Sequence, residues 1–239
     1  MLMRRTLQHA GIALLVLFSF GLITSAAARP AKIIILRHGE KENDFALCNV
    51  GVERSLALAA QYLGQGATQS LFRGKDKPAA FLAITLHTLE LASPAAATWE
   101  MPVVTFSSVP LPGIDLTPQF NLRTQHAVGA LMNDRLYDGK TVVMVWEHHH
   151  IADRELELKF PDQRVSLRQL LNLDKLKSVP ETWPGQNYNY FWIVEFGKKT
   201  DIPTSFKSVK QDFSGPFASV PSNDWGTTEP LPQDTKCLH

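Results

Sequence analysis

Apolar residues in this chain gather into short unbroken runs, and charged side chains stand where the runs stop. Ile33, Ile34, Ile35 and Leu36 make one run; Val142, Val143, Met144, Val145 and Trp146 make another. Stretches of this kind, rich in β-branched residues and free of polar alternation, predict strands buried on both faces. Residues 79–85 predict a third strand and residues 102–106 a short fourth. Helical periodicity over residues 52–63 predicts a helix with Asn49 as N-cap and Gly64 as stop. Val52, Leu56, Ala59, Ala60 and Leu63 form its expected buried face. A second helix starts over residues 86–92, where Pro94 predicts a break and residues 95–99 a restart. A third is expected over residues 121–135, burying Leu122, Ala127, Ala130, Leu131 and Met132. Shorter helices are expected over residues 151–160 and 166–173.

The C-terminal part has a different pattern. Residues 188–196 are aromatic and β-branched and predict a strand. Residues 206–213 alternate weakly and predict its antiparallel partner. Residues 65–77, 107–119 and 179–186 are polar or rich in Pro and Gly, and predict loops. The second of these holds Pro110, Pro112, Gly113 and Pro118 and is a candidate substrate rim. Strands that alternate with helices predict an α/β fold, a mostly parallel sheet flanked by helices with an antiparallel C-terminal edge. That domain spans residues 29–213, and residues 214–239 form an irregular tail.

Residues 1–28 are set apart. Arg4 and Arg5 precede an apolar run over residues 11–23, and Ser25, Ala26, Ala27 and Ala28 offer a cleavage site. This is the pattern of a secretory signal peptide. The run is shorter than the roughly 20 residues of a spanning helix. The expectation is a secreted or periplasmic protein beginning near Arg29. Cleavage removes two of the 24 Lys and Arg residues and none of the 23 Asp and Glu residues, leaving a balance close to neutral. Such a chain carries no basic footprint for nucleic acid or a membrane surface. An anionic ligand must find its cations locally. Two cysteines in an exported chain permit one bridge, so a Cys48–Cys237 disulfide is predicted, with two free thiols as the alternative. No Cys/His spacing marks a structural metal site.

In open α/β sheets ligands bind beyond the carboxyl ends of the strands. Both strong apolar runs end in histidine. The string Leu36-Arg37-His38-Gly39-Glu40 resembles the signature of the histidine phosphatase (phosphoglycerate-mutase-like) superfamily. Gly51-Val52-Glu53-Arg54-Ser55 is similar to a helix start its members often carry. Val145-Trp146-Glu147-His148, followed by Ile151, looks like the strand end that holds their second essential histidine. The resemblance covers most of residues 32–151. It implies hydrolysis of a small phosphorylated substrate with no metal and no cofactor. His38 is then the nucleophile, and Arg37 and His148 bind phosphate, with His150 as the alternative to His148. Arg54 reads as a helix-surface ion pair rather than a ligand.

The chemistry is coherent on its own terms. A neutral imidazole can attack phosphorus and carry it as phosphohistidine. Cationic and N–H donors stabilise the equatorial oxygens as charge redistributes. The resemblance breaks at one point: members usually carry a second phosphate-clamping arginine where this chain has His87. His87 either replaces it as a phosphate donor or marks a lost clamp. Glu147 is the first choice for general acid, ahead of Glu40, Glu90 and Asp153. Two readings follow, an exported phosphatase and a non-catalytic phosphate- or ligand-binding protein on the same fold.

Overall fold

The computed structural model describes residues 29–107, 109, 111–197, 200–231 and 235–238. The predicted signal peptide lies outside these residues. Six strands form one sheet in the order β3-β2-β4-β1-β5-β6. They are β1 (Lys32–Arg37), β2 (Pro78–Ala83), β3 (Val103–Thr105), β4 (Thr141–Trp146), β5 (Tyr190–Phe196) and β6 (Pro203–Lys210). The first four run parallel to their neighbours, and β5 and β6 complete an antiparallel edge against β1. The predicted α/β architecture is therefore the observed one. Both strong apolar runs sit in the middle of the sheet, where each face needs covering.

That need sorts the core by strand parity. Ile33, Ile35, Val142, Met144 and Trp146 face one layer, with α3 (Thr117–Asn133), α4 (His148–Ile151) and α6 (Leu167–Leu170). Ile34, Leu36, Val143 and Val145 face the other, with α1 (Asn49–Leu58) and α2 (Leu86–Thr98). A short helix α5 (Arg154–Lys159) lies between α4 and α6 in sequence.

Local structure departs from the sequence reading in four places. Helix α1 is capped at Cys48, not Asn49, and passes into a π-helical turn over Ala59–Leu63. Its buried face carries Val50, Gly51, Arg54, Ser55, Ala57 and Leu58, while Val52 and Leu56 are exposed. The apolar stripe misled because the helix is held partly by a buried charge. Pro94 does not break α2, which runs through it, anchored at its start by a Thr85–Thr88 capping box. Helix α3 starts at Thr117, with Pro118 in its first turn where a missing N–H costs nothing, and it leaves Leu122 exposed. Cys48 and Cys237 are joined, with Cα atoms 5.1 Å apart. Residues 235–238 thus lie beside the start of α1, and Leu238 N–H donates to Lys41 O at 2.7 Å.

Candidate active site

Strands β2, β4 and β1 are adjacent and parallel, so their carboxyl ends meet at one edge. His38 follows β1, and its N–H extends the ladder to Trp146 O at 3.0 Å. Glu147 and His148 follow β4. Thr85 and His87 follow β2, in the cap and first turn of α2. Three strand ends far apart in sequence thereby deliver one cluster.

His38 is 1% exposed. Its Nδ1 lies 2.7 Å from Gly39 O. A carbonyl only accepts, so Nδ1 carries the proton and Nε2 holds the lone pair. Around Nε2 stand Arg37 Nη2 at 2.9 Å, His148 Nδ1 at 3.3 Å and Glu147 Oε2 at 3.5 Å. Burial drives the His38 pKa well below the ordinary histidine value; Glu147 opposes this, and Arg37 and His87 add to it. His148 is lowered too, by burial first and then by Arg37 and His38. Two neutral rings and one guanidinium face each other.

His87 closes the opposite side. Its Nδ1 donates to Asp44 O at 3.2 Å, and its Nε2 lies 2.5 Å from Glu147 Oε1. Since Asp44 O can only accept, one proton is shared across the second contact. Thr85 Oγ1 donates to the same Glu147 oxygen at 3.1 Å. Burial alone would raise the Glu147 carboxyl, but His38 and His87 outweigh it and hold it well below the usual carboxylate range. The structure thus brings Arg37, His38, His87, Glu147 and His148 together. His87 meets the cluster through Glu147.

The alternatives go elsewhere. His150 turns away, with Nε2 3.0 Å from Asn121 Oδ1, and burial lowers its pKa to about 4. Glu90 accepts the Leu47 N–H at 2.8 Å. Asp153 caps α5 and pairs with His149. Glu40 is wholly buried against Arg54, which contacts both of its oxygens. Arg54 is a structural residue but not a surface one: it also donates to Glu229 Oε1 at 2.7 Å and Pro221 O at 2.9 Å. Gly51 makes this possible, because a Cβ there would stand 2.3 Å from Glu40 O. With glycine the helix lies directly on the backbone that follows His38.

Some site residues gave no usable signal in the sequence. Tyr188 stacks on Arg37, its ring centre 3.9 Å from the guanidinium carbon. Gly185 O and Pro184 O accept from Arg37 Nη1 at 2.6 and 3.3 Å. These come from a loop that only folding brings to β1. Thr85 was detectable, since a Thr-x-x-Thr pair after an apolar strand is a helix-start pattern. Two cavities reach the cluster at Glu147. One, of about 280 Å³, is lined by Lys41, His87, Thr85, Leu111, Ile114 and Phe120 among others. The other, of about 400 Å³, lies along Asp115, Phe120, His149, Asp153 and Lys159. From the 107–119 segment, read as a candidate substrate rim, Leu111, Ile114, Asp115, Leu116 and Thr117 line these two cavities.

No protein-family model matches this chain. No curated protein matches it either. Among solved structures it is similar to YhfR of Bacillus stearothermophilus, at 16% identity and a TM-score of 0.43, over 78% of this chain and 98% of that one. It is similar to a phosphoglycerate mutase from Bacillus anthracis, at 13% identity and a TM-score of 0.44, over 78% and 95%. It is also similar to the "putative phosphohistidine phosphatase SixA" from Agrobacterium tumefaciens, at 13% identity and a TM-score of 0.36, over 74% and 97%.

Proposed function

We propose that this protein is an exported phosphatase that hydrolyses a small phosphoester through a phosphohistidine on His38. The observation that carries the reading is the state of that ring. Its Nδ1 is pinned to Gly39 O, its Nε2 lone pair faces the cluster, and burial keeps it neutral. A neutral, oriented imidazole beside a fixed guanidinium is what in-line attack on phosphorus requires.

An incoming phosphoryl group competes with Gly185 O and Pro184 O for the Arg37 N–H donors. Its oxygens also draw Arg37 Nη2 away from His38 Nε2, which frees the lone pair to attack. The Nε2–P bond forms as the P–O bond to the leaving group breaks. His148 donates a neutral N–H to an equatorial oxygen, and Arg37 supplies the permanent charge. The proton shared by His87 and Glu147 goes to the leaving oxygen. In the second half the same pair takes a proton from water as it attacks phosphorus and releases His38. Lys41, on the wall of the cavity that reaches Glu147, adds a cation where an anionic substrate enters. No step in this scheme calls on a metal, nucleic acid or a membrane.

The test is a phosphohistidine trap. Wild-type protein mixed with a labelled aryl phosphate in EDTA, quenched within milliseconds, should yield an acid-labile, base-stable phosphoprotein that His38→Ala does not form. N-terminal sequencing of exported material should begin near Arg29. One feature favours the binding-protein reading: His87 stands where a second phosphate-clamping arginine is expected and is tied to Glu147, which leaves Arg37 as the arginine that touches His38 among the described residues. Saturable phosphate binding without turnover would establish that alternative.

A further inference from the structure

The same cluster has a geometry that phosphoryl transfer does not call for. We propose that His38, His87, Glu147 and His148 form a binding site for a divalent transition ion of the zinc class, and that the bound ion silences the nucleophile. The ligating atoms of His38, His87 and Glu147 lie within 4.8 Å of one another, and all three residues are buried. A tetrahedral zinc ion with ligands at about 2.0–2.1 Å holds them about 3.3 Å apart. His38 Nε2 to His148 Nδ1 is 3.3 Å, and His38 Nε2 to Glu147 Oε2 is 3.5 Å. Two edges of the tetrahedron are in place. The third ring, His87, is held at Glu147 by a proton that an ion would displace.

The surroundings fit ligation as well. A metal-bound histidine needs its far nitrogen donating to an acceptor, which fixes the tautomer and aims the near one. His38 Nδ1 has Gly39 O, and His87 Nδ1 has Asp44 O. Three imidazoles and one carboxylate select zinc or copper over magnesium or calcium. His87 is decisive, because an arginine at that position offers no lone pair and repels a cation. Arg37 works against the ion, since its Nη2 lies 2.9 Å from His38 Nε2. It makes the site weaker than a dedicated one. Metal and phosphate therefore need opposite things from Arg37.

Calorimetry of the purified, EDTA-stripped protein with zinc chloride alone tests the site without reference to turnover. We expect one ion per chain. His87→Ala and Glu147→Gln should each weaken it by more than the roughly 10–100-fold that loss of an outer-shell partner costs. Arg37→Ala should tighten zinc while weakening inorganic phosphate. His126→Ala, at an exposed ring on α3, should change nothing. Loss of zinc with His126→Ala and not with His87→Ala would overturn the site. The silencing half rests on the phosphatase reading. Zinc should inhibit aryl phosphate hydrolysis by wild type, and EDTA should restore it. Turnover that requires zinc would overturn the silencing. Zinc bound by this cluster in a protein that never turns over would leave the site standing and sink the phosphatase reading alone.

Discussion

Replacing Glu229 by glutamine should flatten the alkaline limb of the stability curve. Two buried carboxyls, Glu40 and Glu229, share one guanidinium. Glu40 takes the two-pronged contact and is held low, burial being outweighed by Arg54. Glu229 is pushed up to about 8, by burial first, with the neighbouring Glu40 adding to the rise against the pull of Arg54. A carboxyl raised in the folded chain binds its proton more tightly there than in the unfolded chain. Its stabilisation is full below the ordinary value near 4.5 and is lost as pH rises toward 8. The slope in that window approaches ~1.4 kcal/mol per pH unit. From pH 6 to pH 9 wild type should therefore lose about 3 kcal/mol from this group. Glutamine keeps an acceptor for Arg54 and a donor for Glu40 without the charge. Urea denaturation near pH 4 should find the two proteins alike, and the gap should widen as pH rises until at pH 9 the variant is clearly the more stable. Superimposable pH dependences would refute the reasoning and mean that Glu229 is ionised in the folded protein throughout.

Other perturbations should separate the parts of the site. His38→Ala should abolish aryl phosphate turnover while leaving the urea midpoint close to that of wild type. His148→Ala should lower kcat on the order of 10²–10³-fold, as loss of one charge-stabilising donor does. Tyr188→Leu should cost roughly 0.5–2 kcal/mol of transition-state binding through Arg37, with Tyr188→Phe close to wild type, read as kcat/KM. The pair Cys48→Ser and Cys237→Ser should reduce unfolding free energy by about 2–5 kcal/mol, measured in urea.

Much of this molecule is legible in its residues because the central strands leave no choice. A run such as Ile33 to Leu36 can be buried only in a sheet covered on both sides, and the histidine that follows it must then stand on the edge. Arg37, His38, Glu147 and His148 could be read this way because each sits directly against a strand that patterning locates. Helix α1 could not. Its burial follows from Arg54 meeting Glu40 and, across 175 residues, Glu229, and no local periodicity encodes a partner that distant. Tyr188 and Gly185 were hidden for the same reason. Their role depends on where a loop lands, and loop composition says that the chain turns without saying what it covers.

The order of the strands sets a timetable. β1 is the first of these six strands to be made, yet its partners are β4 and β5, and β5 ends at Phe196. A growing chain must carry the Ile33–Leu36 segment unpaired while the intervening residues emerge, and its sheet cannot close before β5 is made. For that period an apolar strand with two open edges is available to any other chain, the condition that favours misassembly. The interior position that makes His38 rigid in the finished protein makes its strand the most vulnerable part of the unfinished one.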